Sequence, residues 1–169
     1  EFATVVNNVE TLANVPGIIS NGADWYRSVG TERSPGTMVF TVTGDVRTPT
    51  ITELPLGTPL SFLIYGEGGG MADGRSPKLA VSGVSNRPLT AAELDTPLSF
   101  EALEAIGSGL GSGGFLVYDD RTCAVEVGAV LSDFLQRGSC GQCPPCKLGT
   151  TAFARGFHRV MDGQSSLEE

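Results

Sequence analysis

A chain of 169 residues has room for one domain of ordinary size or two small ones. It is 40% hydrophobic, yet no apolar run reaches the roughly 18 residues that a membrane helix needs, so a soluble protein is expected. With 11 basic residues against 19 acidic and a net charge of −8, nucleic acid and anionic membranes are poor partners.

The first residues carry no basic, apolar leader with a small-residue cleavage site, which argues against secretion. The 23 glycines and 10 prolines predict many turns. Hydrophobic segments recur throughout, so the chain is expected to be ordered.

Asn7 and Asn8 precede Val-Glu-Thr-Leu-Ala-Asn-Val, with Glu10 in the first turn of a predicted helix. An asparagine amide oxygen takes up an orphan backbone N–H there. Pro16 is expected to restart the chain as a second helical turn. Ile18, Ile19, Trp25 and Tyr26 would supply its apolar face. A plain capped helix accounts for this stretch. Side-chain amides at a helix start can also receive a phosphate.

Met38 to Val46 alternates in the period of a strand. Arg47-Thr48-Pro49 then turns into a second short strand, Ile51 to Leu54, as a hairpin. Thr58-Pro59 reads as an N-cap followed by proline at the first helical position. Leu60, Leu63 and Ile64 share one face, and the glycines from Gly66 to Gly70 end the helix in a loop. Lys78 to Val84 reads as a third strand, and Gly114 to Tyr118 as a fourth after a polar connection. Strand, strand, helix, strand, strand is the order of a ubiquitin-like β-grasp. Gly109-Leu-Gly-Ser-Gly-Gly114 fits a dinucleotide fingerprint by spacing. It runs into a strand rather than a helix, the reverse of what that fingerprint requires, so no nucleotide site is expected there.

From residue 122 onward the chain reads as helical apart from one loop. Cys123, Val127, Val130, Leu131, Phe134 and Leu135 fall on one predicted apolar face. Cys123 is then most simply a small core residue. After Gly138 comes Ser-Cys-Gly-Gln-Cys-Pro-Pro-Cys, placing Cys140, Cys143 and Cys146 two residues apart. Such spacing lets thiolates converge on one centre, expected to lie between the two helices. Soft thiolates so placed suit an iron–sulfur cluster or zinc, and three so crowded suit a metal in a reducing compartment better than disulfides. A second helix carries Phe153, Phe157 and Val160, with His158 the single histidine. A zinc site would draw its fourth ligand from Cys123 or His158.

The run SCGQCPPCKLGT resembles the cluster-binding segment of the flavin- and NADH-binding subunit of respiratory complex I. The diaphorase subunits of hydrogenases and formate dehydrogenases carry a similar run. The resemblance implies that Cys140, Cys143 and Cys146 hold a [4Fe-4S] cluster whose fourth ligand follows roughly forty residues later, beyond this sequence. VVNNVETLANVP resembles the end of that family's flavin domain, which implies that Asn7, Asn8 and Thr11 contact the phosphate end of FMN. These three should lie at one helix start, open to solvent. SPGTMVFTVTGDV and ELPLGTPL are similar to its soluble-ligand-binding β-grasp domain.

The fold implied is α+β, with three segments. Residues 1–33 are the helical end of an FMN domain, 34–121 a β-grasp, and 122–169 an incomplete helical [4Fe-4S] segment. The function implied is part of an NADH dehydrogenase subunit that passes electrons from NADH through FMN to the cluster. Most of the FMN site and the NAD site would lie outside this chain. No general acid, base or nucleophile is evident, so no catalytic residue is named and this piece alone is expected to be inactive. Other subunits of a multi-subunit redox complex, an iron–sulfur protein among them, are the partners implied, in the cytoplasm or on its face of a membrane complex. A zinc module and a free-standing β-grasp binding protein are the alternatives.

Overall fold

The computed structural model describes residues 3–165. The chain divides after Tyr118 into two compact units.

The first unit opens with α1 (Val9–Asn21) and α2 (Ala23–Arg27). Asn8 caps α1, its side-chain oxygen accepting from the Glu10 N–H at 2.8 Å. The helix runs through Pro16 without the predicted restart. Proline costs a helix one backbone bond, but α1 buries none of its residues, so water can serve the freed carbonyl.

Strands β1 (Thr37–Gly44) and β2 (Thr50–Pro55) form the predicted hairpin, with Met38 opposite Leu54 and Phe40 opposite Thr52. The alternation in β1 buries Phe40 and Val42 and leaves Val39 outside. A short helix α3 (Leu60–Phe62) leads into a π turn over Leu63–Glu67. Leu60, Leu63 and Ile64 are all fully buried, as their spacing predicts. Removing three such side chains from water is worth on the order of 5 kcal/mol as an upper estimate. Thr58 does not cap this helix. Its hydroxyl donates to the Pro55 carbonyl in the preceding turn, and extended Pro59 stands at the cap instead.

The sheet has five strands, not four. β3 (Pro77–Val81) pairs antiparallel with β4 (Leu89–Thr90), a two-residue strand too short to show a period. The connection that follows also holds a helix, α4 (Phe100–Ala105), capped by Ser99. β5 (Gly114–Asp119) then enters beside β1 and parallel to it, giving the order β2-β1-β5-β3-β4. A hairpin whose first strand is flanked by the parallel last strand is the β-grasp arrangement. Gly44, where β1 leaves the sheet, must be glycine. Its φ is +96°, and a β-carbon would sit 2.2 Å from the Val117 carbonyl oxygen.

Two polar devices finish this unit. Glu10 of α1 accepts the Val39 N–H at 2.6 Å. The parallel register begins at Thr41 opposite Gly114, so this N–H lies beyond the reach of β5 and the carboxylate satisfies it instead. In the second, Glu101 of α4 accepts the hydroxyls of Thr31 and Ser34, tying the loop before β1 to α4. Those two hydroxyls, Ser34 first, lower the Glu101 carboxyl to about 2.

The second unit is a helical hairpin of α5 (Ala124–Gly138) and α6 (Pro144–Met161). The helices run antiparallel, since Gln136 bonds Thr151 while Gly128 meets Phe157. The buried positions of α5 are Val127, Ala129 and Ser132. Val130 is 63% exposed and Phe134 61%, so the predicted apolar stripe is rotated from the one used. The reason is Gly128: its bare backbone makes a slot for the Phe157 ring and draws the seam to that side of the helix. Cys123 is not a core residue either. It is the exposed N-cap of α5.

Candidate metal centre

The cysteine loop joins the two helices of the second unit. Ser139 leaves α5 in extended backbone (φ −67°, ψ 128°), and Gly141 turns the chain at φ +70°. Cys143 is the N-cap of α6, with no side-chain capping bond. Pro144 and Pro145 fill the first helical positions, where an N–H has no helical partner to lose. Cys146 therefore stands in the first turn, and the Lys147 N–H bonds the Cys143 carbonyl at 2.9 Å. Two of the three sulfurs are thus placed at the start of an 18-residue helix, the positive end of its dipole. Lys147, next in sequence to Cys146, adds a full positive charge to the same turn.

All three cysteines are free and exposed. Among the described residues, no three His, Cys, Asp or Glu side chains gather closely enough to hold a metal ion. The expected convergence of Cys140, Cys143 and Cys146 on a centre between the helices is therefore not present. Hydrated surface thiols have no attraction for one another. The free energy that gathers them is that of metal binding itself. By donor chemistry the loop fits a thiolate-bound iron–sulfur group: three soft ligands within seven residues, exposed and unpaired.

The hairpin also decides which other groups could join them. Cys123 and Ser139 cap opposite ends of α5, sixteen positions apart, or about 24 Å along the axis. His158 lies twelve positions beyond Cys146 on α6, about 18 Å away. Its Nε2 is 3.1 Å from an Asp133 carboxylate oxygen, across the hairpin. Neither residue can complete a site at the loop, so the Cys3His and four-cysteine zinc sets drawn from this chain are not formed.

One neighbour of the sulfurs does not stand out in the sequence. The Ser139 hydroxyl is 3.3 Å from the Cys146 sulfur, and the Gly141 N–H donates to the same hydroxyl oxygen at 3.2 Å. A hydroxyl residue at the helix C-cap, just before the first cysteine, is the available signal.

In the first unit, Asn7, Asn8 and Thr11 are exposed around the start of α1. The Asn7 amide oxygen accepts the Asn8 N–H at 2.8 Å, as that of Asn8 accepts the Glu10 N–H. Both oxygens are therefore occupied, and the amide N–H groups, the donors an anion would use, face no acceptor among the described residues. Asn8 and Thr11 also line a groove of about 680 Å³ whose floor includes Met38, Leu56 and Phe100. The glycine-rich stretch before β5 is packed closely against its neighbours. Gly113 passes so close to β1 that a β-carbon would lie 2.7 Å from the Val39 carbonyl oxygen, and Gly109 receives bonds from Ser82 and Asn86 at its carbonyl. Its glycines serve close packing.

Two family models match the chain: the SLBB domain over residues 39–84 and the NADH-ubiquinone oxidoreductase-F iron-sulfur binding region over 126–169. The second contains all three cysteines of the loop. The second of the NADH-quinone oxidoreductase F subunits of Rhizobium meliloti (strain 1021) is 40% identical over 95% of this chain and 38% of its own length. The chain is homologous to one segment of the NADH-quinone oxidoreductase F subunits. The HndC subunit of the NADP-reducing hydrogenase of Solidesulfovibrio fructosivorans is 39% identical over 98% of this chain and 34% of its own. Among solved structures, an NAD+-reducing [NiFe]-hydrogenase in the air-oxidized state superposes with a TM-score of 0.81. It is 36% identical, over 95% of this chain and 27% of that one. The chain thus spans little more than a third of the first curated relatives it matches. Its β-grasp sheet and terminal helices agree with the α+β fold expected from the sequence. Among the described residues no helix is long and apolar enough to cross a membrane.

Proposed function

We propose that this chain is the part of an NADH dehydrogenase subunit that receives electrons from NADH by way of FMN onto a [4Fe-4S] cluster. The observation that carries the reading is the loop itself: three exposed, unpaired cysteines leading into a helix, inside the stretch that matches the iron-sulfur binding region. On this reading residues 1–33 close an FMN domain, 34–121 form the β-grasp, and 122–169 open the cluster domain. Cys140, Cys143 and Cys146 hold the cluster, with a fourth ligand from outside these residues. Asn7, Asn8 and Thr11 present N–H and O–H donors to the phosphate end of FMN.

When bound, the cluster would supply one-electron acceptance, which the protein's own side chains lack. The chain's residues do the rest. The α6 N-terminus and Lys147 set positive charge beside the place an anionic cluster would occupy. Pro144, Pro145 and Gly141 shape the loop, and the two prolines lower the entropy lost when the sulfurs gather. The β-grasp carries no convergent acids or bases and acts as a packing and docking module. Partners on this reading are the other subunits of a cytoplasmic or membrane-associated redox complex, an iron–sulfur protein among them.

The test is iron and acid-labile sulfide analysis of anaerobically isolated protein, with electron paramagnetic resonance after reduction. Brown protein with both elements and a reducible signal supports the proposal. Colourless protein holding stoichiometric zinc would end it.

A further inference from the structure

We propose that Ser139 is a positioning residue for this metal centre, its hydroxyl donating a hydrogen bond to the Cys146 sulfur and raising the reduction potential of the group held there. This rests on the reading of Cys140, Cys143 and Cys146 as cluster ligands. The direction of the bond follows from the neighbours. The Gly141 N–H already donates to the Ser139 oxygen at 3.2 Å, which occupies one lone pair and leaves the hydroxyl proton to point elsewhere. The acceptor in reach is the Cys146 sulfur at 3.3 Å. A ligating cysteine is a thiolate and has no proton to give, so in the metal-bound protein Ser139 is the donor.

Position makes the contact more than a surface bond. Ser139 ends α5 and Cys146 lies in the first turn of α6, so the bond closes the loop that carries all three sulfurs. An electron added to a metal–sulfur group increases the negative charge on its thiolates, and a hydroxyl aimed at one of them stabilises that reduced form. The electron comes from the flavin of the proposed function. The hydroxyl proton stays on Ser139 throughout.

The experiment is a redox titration followed by electron paramagnetic resonance. It is carried out on the complete polypeptide that bears this chain, as wild type, Ser139→Ala and Ser139→Thr, with iron and sulfide measured in each. The expected result is equal iron in all three, a midpoint shifted negative in Ser139→Ala, and a wild-type midpoint in Ser139→Thr, which keeps the donor. Equal midpoints in all three overturn the proposal, as does a threonine variant that follows the alanine variant. Loss of iron in Ser139→Ala with retention in Ser139→Thr also overturns it, because the hydroxyl would then be a structural tie. If the wild type itself holds no iron and sulfide, it is the cluster reading that has failed.

Discussion

Gly128 of α5 lies against the ring of Phe157 on α6 so closely that a β-carbon on it would stand 2.5 Å from a ring carbon. The hairpin that carries the cysteine loop is built on this contact. Gly128→Val should therefore destabilise the second unit by about 1–3 kcal/mol through overpacking. The loss should shrink when Phe157 is also replaced by alanine. Urea unfolding of the two single variants and the double variant measures the coupling. Strictly additive effects would show that the two residues do not constrain each other.

Gly44 offers a harsher test in the first unit. Alanine there meets both a left-handed backbone and a carbonyl oxygen at 2.2 Å. Neither strain can be relieved without parting β1 from β5. Gly44→Ala should cost at least about 2 kcal/mol, seen as a lowered thermal midpoint.

Acid should loosen the first unit in a defined window. The Ser34 and Thr31 hydroxyls hold the Glu101 carboxyl at about 2, and the Arg87 guanidinium, with Thr90, does the same for Glu93. Both folded values lie below the ordinary 4.5. The unfolded chain therefore binds more protons over this range. The stabilisation is complete above the unfolded value and disappears as pH falls from about 4.5 towards 2. Glu101→Gln should flatten the fall of stability with pH in that window. An unchanged slope would mean that the carboxylate's two hydroxyl partners contribute nothing to it.

Cys140→Ser, Cys143→Ser and Cys146→Ser should each lose most bound iron after anaerobic reconstitution. Cys123→Ser and His158→Ala should retain it, because helix length keeps both far from the loop. Iron analysis across the five variants checks the assignment. Iron lost from Cys123→Ser would require α5 to be broken.

Much of this is legible in the sequence because it rests on local pattern. Alternation in β1, the Leu60, Leu63 and Ile64 spacing and the asparagine cap at α1 each follow from a few adjacent residues. The departures share a cause, since each depends on something distant. Two-residue β4 exists only through its partner β3. Val130 and Phe134 are apolar and point to one face of α5, whereas the docked side is set by Gly128, a residue without a side chain. Cys123 fits the apolar stripe and sits instead at a helix start. The cysteine spacing identifies the ligand loop, but convergence of its sulfurs depends on metal binding, which no residue pattern supplies.

The parallel pairing of β1 with β5 sets a timetable for synthesis. Thr41 waits for Gly114, made 73 positions later, an interval of about 4–15 s at ordinary elongation rates. Until then the nascent β1 and its hairpin partner hold Phe40 and Val42 without the strand that completes their sheet. This is the period in which the chain is most open to wrong pairing. The cysteines are made only after β5. The cysteine sulfurs thus emerge from the ribosome once every described strand of the sheet has been made.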